Sequence, residues 1–434
     1  MLATDLQIAA RNLAQHGRRN LFLGLAIASV TALLVLMGAL TTGIRSSMLE
    51  SATTLMTGHV NVAGFYKVTS GMAAPLVNDW PKALADAKRL VPELDFATVR
   101  MRGYAKVVSD TTSMDMVLGG IDVAAEPGFR KVIQVEEGKL DDLAQPNTIL
   151  IFEEQGKRLG AKVGDQLTIA APTARGMNNT VDVRVVAVAK SVGLLSSFNA
   201  FLPASTLRKL YLLNDTTTGA IHLYLKNPAD SNKVAARLRT DIAGAGWRVM
   251  DADPQPYWQK FQRVASEEWV GQKIDVTSWE DELSFLNWIL AALNGLTALL
   301  VTVLWVIVGV GIMNTLWIAI RERTREIGTL RAIGMQRRKV LWLFLLEAAL
   351  LGLLGTLAGA LGAALLAWGV NAAHLAVPEA VQMFLMQRHL HLAVSGGAVA
   401  RAVLWLTAIT TLFALYPAFR AARLKPVTAM HHIG

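Results

Sequence analysis

The sequence predicts an α-helical integral membrane protein with four transmembrane helices and a large extracytoplasmic α/β domain between the first and second. Three observations carry this: 53% hydrophobic content with a mean hydropathy of +0.38 over 434 residues, four long apolar runs, and positive charge gathered beside those runs. A hydrocarbon core takes roughly 20 apolar residues at about 1.5 Å of helix rise each.

The organisation reads as an amphipathic segment at 1–20, spans at 21–43, 286–320, 340–370 and 398–416, an external domain at 44–285, an inner loop at 321–339, a short external loop at 371–397 and a tail at 417–434. The first run is uncharged from Leu21 through Ile44, longer than the apolar region of a cleaved signal peptide, so it is expected to be a retained anchor. The second and third runs exceed the minimum and are expected to tilt or to extend beyond the bilayer.

Charge orients the spans. Residues 45–282 carry 27 basic and 28 acidic side chains, leaving 15 basic and 5 acidic for the rest of the chain. Arg11, Arg18 and Arg19 precede the first span, Arg321, Arg323, Arg325, Arg331, Arg337, Arg338 and Lys339 fill the inner loop, and Arg420, Arg423 and Lys425 follow the last span. Short loops rich in Lys and Arg stay cytoplasmic. Both termini and the inner loop are therefore expected on the cytoplasmic side of the membrane, with the domain outside. The net charge of +9 reads as this topology signal, and no nucleic acid partner is expected. The chain contains no cysteine, so neither a disulfide framework nor a thiolate metal site stiffens the domain.

Within the domain, Ile44, Met48, Ala52 and Leu55 after the first span, and Trp279, Leu283, Leu286 and Leu290 before the second, keep helical spacing. The two stripes either pack together as a stalk or lie separately against the domain. An amphipathic helix is expected at 79–90 with Asn78 as N-cap and Pro81 in its first turn. Strands are expected at 97–108, 116–121, 220–225 and 247–250, with a helix at 231–242 between the last two, the order of a split βαβ unit. A β-rich second lobe is expected to be inserted in the middle: a strand from Thr148 leads into a short helix ended by Gly160, a Val163-Gly164-Asp165 turn opens a strand ending at Ile169, and a strand covers 181–188 after an exposed, mobile loop at 171–180.

Catalytic signatures are missing. No Gly-x-x-x-x-Gly-Lys-Ser/Thr, Gly-x-Ser-x-Gly or His-Glu-x-x-His occurs, so the chain is not expected to be an enzyme or to bind a cofactor or metal. The pairs His389/His391 and His431/His432 lack a carboxylate at a fixed offset and read as solvated histidine. Glu347 lies roughly 12 Å along the third span from Lys339, where a carboxylate is usually paired or functional. It either reaches the interface or a basic residue of the inner loop, or biases helix packing. The small residues Gly355, Gly359 and Gly362 allow close helix approach, within the chain or at a subunit interface.

The inner loop carries more than charge. Ile327, Leu330, Ala332, Ile333 and Met335, with Gly328 and Gly334 expected to break the helix, leave a short amphipathic helix that needs something to bury against. The string Arg325-Glu326-Ile327-Gly328-Thr329-Leu330-Arg331-Ala332-Ile333-Gly334-Met335, the end of the chain from Tyr416 to Met430, and the Lys157-Arg158-Leu159-Gly160-Ala161-Lys162-Val163-Gly164-Asp165 turn together resemble the FtsX/MacB-like permeases of ATP-binding-cassette systems. Thr57 to Val60, Trp258 and Trp279 are similar to its lipoprotein-releasing (LolC/LolE-like) branch. The chain opens directly into the first span, so no fused ATPase is expected.

The resemblance implies a non-catalytic permease subunit of the bacterial inner membrane in which 326–335 is a coupling helix docked on a separate cytoplasmic ATPase dimer that binds the ATP and magnesium. Arg325, Glu326, Ile327, Gly328, Leu330, Arg331, Ile333, Gly334 and Met335 would carry the contact. It also implies a second permease copy or paralogue, an external domain made of a porter-like split βαβ lobe with an inserted β-rich sabre-like lobe, and a lipoprotein substrate or periplasmic partner. Leu36, Leu40, Ile44 and Met48 either touch acyl chains or are ordinary helix packing. The expected function is transmission of ATP-driven closure to the external domain, for lipoprotein release or export of a periplasmic substrate. The rival reading is a signalling protein that activates a cell-wall hydrolase without transport.

Overall fold

A computed structural model describes residues 2–15, 17–69, 71–173, 175–378, 381–382 and 389–423. The chain divides into two compact units. One comprises Met1–Arg45, Ala291–Ala376 and His389–Gly434, the other Ser46–Leu290 and Val377–Arg388.

The membrane unit is built from helices: an N-terminal helix Leu2–Gln15, a first long helix Gly17–Ala52, a second Ser284–Glu322, an inner helix Thr324–Ala332, a third Arg337–Ala373 and a fourth Gly396–Ala422. The four long ones are of a length and hydropathy that cross a membrane. Lipid tails offer no apolar driving force between helices, so close packing rests on small residues. On the third helix, a Cβ at Gly352 would press on Thr410, one at Gly355 on Ile27, and one at Gly359 would sit 2.2 Å from the carbonyl oxygen of Ala28. The Gly355/Gly359 motif is thus filled by the first helix of the same chain, which corrects the subunit-interface reading at those two positions. Gly362 faces nothing within 4 Å. Thr356 and Thr407 share a hydroxyl hydrogen bond of 3.1 Å between the third and fourth helices.

The extramembrane unit is a sheet of eleven strands: β1 Val60–Thr69, β2 Met72–Ala74, β3 Leu94–Val108, β4 Ser113–Ile121, β5 Val135–Gly138, β6 Thr148–Phe152, β7 Gln166–Pro172, β8 Asn178–Ala189, β9 Asn199–Pro203, β10 Ala220–Leu225 and β11 Gly271–Ser278. Their order is β11-β1-β10-β3-β4-β9-β6-β8-β5, with β2 on β1 and β7 on both β3 and β8. β3 belongs to two lobes. Its residues 94–100 pair with β10, and 101–108 pair with β4.

In the first lobe, β1 and β3 flank β10 and are joined through helix Trp80–Leu90, while β10 and β11 flank β1 and are joined through helix Ser231–Gly244. All neighbouring pairs are antiparallel, so two split βαβ units interleave. Ala83, Ala87, Val234, Leu238 and Ile242 bury the helices on Val60, Val62, Ile221 and Val276. The second lobe adds parallel pairs, β4 with β9 and β6 with β8, over its own apolar core.

Three local expectations are corrected. Asn78 does not cap the first domain helix, since its side chain accepts from Thr217; Asp79, left-handed at φ 53°, precedes the helix and makes no side-chain cap. Residues 247–250 form no strand but a single bridge, Val249 to Ile274; the sheet position is taken by β11, which pairs with β1 along its whole length. Half of the loop expected at 171–180 is ladder, since Ala171 pairs with Asn179 and Pro172 with Asn178, and the turn between β7 and β8 is shorter than expected.

Both stalk stripes are buried, Met48, Ala52 and Leu55 on one and Trp279, Leu283 and Leu286 on the other. Their domain ends meet, the π-helical turn Thr53–Thr57 touching the single-turn helix Trp279–Glu282. Arg100 locks the first end: its Nη1 donates to the carbonyl of Leu55 at 2.7 Å, its Nη2 to that of Thr54 at 2.6 Å, and its guanidinium pairs with Glu126.

Candidate functional site

The inner helix is set off from its neighbours by backbone geometry. Arg323 (φ −98°, ψ 8°) breaks it from the second long helix, and Gly334 at φ +108° occupies the left-handed region that ends it. Gly328 lies within the helix, which corrects the expectation that it breaks it; a single helical glycine costs only about 1 kcal/mol relative to alanine.

Its faces differ. Ile327 is buried in a cluster with Ile320, Val340, Phe344, Ala418 and Ala421, against which Met335 packs. Arg331 Nη1 donates to the carbonyl of Ala422 at 2.7 Å, tying the helix to the end of the fourth long helix. Ile327, Gly328 and Arg331 therefore hold the helix on its own chain. Arg325, Glu326, Thr329, Ala332 and Ile333 are exposed, and Ile333 keeps 80% of its surface uncovered. Leu330 lies in the helix, but its side chain is outside the described residues. Of the nine residues expected to meet a partner, four (Arg325, Glu326, Ile333 and Gly334) present themselves outward.

Beside the inner helix sits a polar cluster. Arg323 Nη1 donates to both oxygens of Glu347, at 3.2 and 3.1 Å, and Asn12 Nδ2 donates to Glu347 Oε1 at 2.6 Å. The Arg323 and Glu347 side chains are 11% and 12% exposed, so the carboxylate is paired rather than solvated. Arg323 also reaches Glu326 at 3.4 Å, and Lys339 reaches Asp5 at 3.8 Å. The N-terminal helix, inner helix and third long helix thus converge on one ionic cluster around a cavity of about 200 Å³. Sequence reading missed Asp5 and Asn12, although with Ile8 they repeat at helical spacing on the N-terminal helix.

The proposed acyl-contact residues divide. Leu36 and Leu40 are half-buried against Ala39, Ala367 and Leu392, whereas Ile44 and Met48 are covered by their own chain, which removes those two as exposed contacts. His389 and His391 are exposed, and Nδ1 of His389 lies 2.9 Å from the carbonyl of His374. No group of three or more potential metal ligands occurs among the described residues. His431, His432 and the chain from Leu424 onward, including the end of the Tyr416–Met430 motif, lie outside the described residues.

Residues 22–241 match the family model for a MacB-like periplasmic core domain, and residues 298–426 match that for the C-terminal part of FtsX-like permeases. A macrolide export ATP-binding/permease protein of Agrobacterium fabrum is 24% identical over 435 aligned residues, which cover 98% of this chain and 60% of that protein. Its counterpart in Nitrobacter winogradskyi is 37% identical over 151 residues, 35% of this chain and 20% of that protein. This chain therefore spans three fifths or less of the length of these relatives. Among solved structures, the periplasmic region of MacB from Actinobacillus actinomycetemcomitans aligns with a TM-score of 0.28 and 15% identity, over 42% of this chain and 85% of that one.

Proposed function

Because this chain belongs to the FtsX/MacB-like permease family, we propose that it is the non-catalytic membrane subunit of an ATP-binding-cassette system, moved by a separate cytoplasmic ATPase dimer that binds ATP and magnesium. The observation that carries the reading is the division of the inner helix into a face held by its own chain and a face left open, with Ile333 uncovered at its end. An uncovered isoleucine at one end of the helix, with exposed Arg325 and Glu326 about two turns away at the other, suits a partner that offers an apolar pocket and charged groups beyond it.

On this reading, force enters at 325–333, passes through Arg323 and Glu347 to the N-terminal and third long helices, and leaves through the first helix to the external domain. The two termini and the inner loop face the cytoplasm, as the Arg-rich flanks require. The external domain, moved by a second copy or a paralogue together with this chain, acts on cargo at the outer face of the inner membrane, either a released lipoprotein or another exported molecule. Leu36 and Leu40 remain candidates to meet apolar cargo.

The test is Ile333→Glu in the full chain, co-expressed with a cytoplasmic ATPase subunit that co-purifies with the unaltered chain. The expected outcome is loss of ATPase co-purification, at least about tenfold, the equivalent of about 1.4 kcal/mol, with the melting temperature of the permease unchanged. Undiminished co-purification would sink the coupling reading.

A further inference from the structure

We infer that the extramembrane unit binds an elongated apolar molecule with an anionic, hydrogen-bond-accepting end, in a cavity beside the point where β3 changes partners. The cavity measures about 940 Å³, in the range of sites for small organic ligands. Its position follows from the topology: β3 leaves β10 at Arg100 and joins β4 at Met101, and the next residues, Arg102, Gly103 and Tyr104, line the cavity. β2 supplies Met72 and Ala74, and the segment before β11 supplies Tyr257, Trp258 and Phe261. Tyr104, Trp258 and Met72 leave large apolar surfaces exposed there.

Two polar groups in this apolar lining are incomplete. Arg102 Nη1 and Thr173 Oγ1 are buried and have no hydrogen-bond partner among the described residues. Buried polar groups are nearly always paired, so each calls for a partner that the described residues do not supply. Arg102 is otherwise held in place: Nη2 donates to Asn61 Oδ1 at 3.1 Å, and the guanidinium lies 4.3 Å from the centre of the Tyr257 ring. Glu282, the acidic residue in the lining, is already engaged. Its Oε1 accepts from Thr277 and Asn61, and its Oε2 from the backbone N–H of Tyr257. Tyr211 also closes its own bonds, donating to and accepting from the backbone of Tyr104. A guanidinium N–H prefers a charged acceptor, so an anionic end docked at Arg102 with an apolar body along Tyr104, Trp258 and Phe261 completes the lining.

The inference goes beyond the coupling reading and is tested without ATPase or nucleotide, so the two stand or fall separately. The full chain in phosphatidylcholine nanodiscs is photolabelled with a diazirine-bearing hexadecanoic acid, and the labelled peptides are read by mass spectrometry. Label is expected on 71–76 and 257–261, displaced by hexadecanoate at about tenfold lower concentration than by hexadecanol or hexadecylamine. Arg102→Met is expected to erase that preference while leaving displacement by the alcohol unchanged. Ala74→Trp is expected to remove the extramembrane label without changing label on the spans or the melting temperature. Should that variant melt early, Leu213→Trp fills the cavity from another residue of the lining. Label confined to the spans, equal displacement by acid, alcohol and amine, or label indifferent to Arg102→Met would each overturn the inference.

Discussion

The two units solve the same problem, holding charged side chains away from water, by different means. In the extramembrane unit the Arg100 and Glu126 side chains are each 3% exposed, and three guanidinium nitrogens are matched, to Glu126 and to the carbonyls of Thr54 and Leu55. Lys260 and Asp275 form a second buried pair at 2.7 Å. These pairs belong to a unit whose stability comes chiefly from apolar burial, and the Arg100 pair fixes which strand meets which turn. In the membrane unit, shape replaces the apolar driving force. Gly355 and Gly359 admit the backbone of the first helix, and the Arg323 and Glu347 side chains of the polar cluster keep 11% and 12% of their surface exposed. The difference teaches that deleting a charge costs most where the surroundings cannot rehydrate what is left behind.

That comparison breaks if the expected ranking of variants fails. Glu126→Leu leaves Arg100 buried without its counter-ion and should destabilise the extramembrane unit by about 3–5 kcal/mol, seen as early unfolding of that unit in denaturant. Arg100→Met together with Glu126→Leu should recover most of the loss, because both charges are then gone. Gly359→Leu places a side chain against the Ala28 carbonyl and should cost about 1–3 kcal/mol, read as a lowered melting temperature with the extramembrane unit intact. Glu347→Gln keeps an acceptor for Asn12 and Arg323 but removes the charge. About 1–3 kcal/mol of loss is expected, smaller than at Glu126 because the Arg323 and Glu347 side chains are less completely buried and glutamine keeps the hydrogen bonds.

The smallest effect sharpens the comparison at a surface. Arg237, hydrogen-bonded to Glu93 at 2.5 and 2.8 Å, holds that carboxyl at about 2, below its ordinary 4.5. A depressed carboxyl stabilises the fold above the ordinary value and loses that contribution as pH falls from 4.5 towards 2. Both side chains are 38% exposed, so solvent screening keeps the contribution under about 1 kcal/mol. Glu93→Gln should therefore lower denaturant stability slightly at pH 7, and the gap to the parent chain should close between pH 4.5 and 2. A gap independent of pH would show that packing, not charge, accounts for the loss.

Much of this was legible in the sequence because it depends on local periodicity and on counts. The apolar runs and the Gly160 stop rest on one-dimensional pattern. The positive flanks likewise set the expected direction of the spans, since that preference is read from charge near the span ends. The candidate site was legible in part. Periodicity places Ile327 and Ile333 on the same short helix, but only the fold decides that Ile327 is taken by Phe344 and Ala418 while Ile333 is not. A sequence stripe reports that a face is apolar, not what covers it.

The sequence by itself determined how many helices are long enough to cross a membrane, where the charge lies and which chemistry has no motif, since length, composition and spacing suffice for each. Tertiary structure alone decided that β11 rather than 247–250 completes the first lobe, that Met48 is buried, that Asn12 meets Glu347 across 335 positions of chain, and that Arg102 lines a cavity with a donor unmatched. The physical reason is common to all four: each depends on groups distant in sequence, whose meeting is set by how strands and helices stack and not by the residues that flank them.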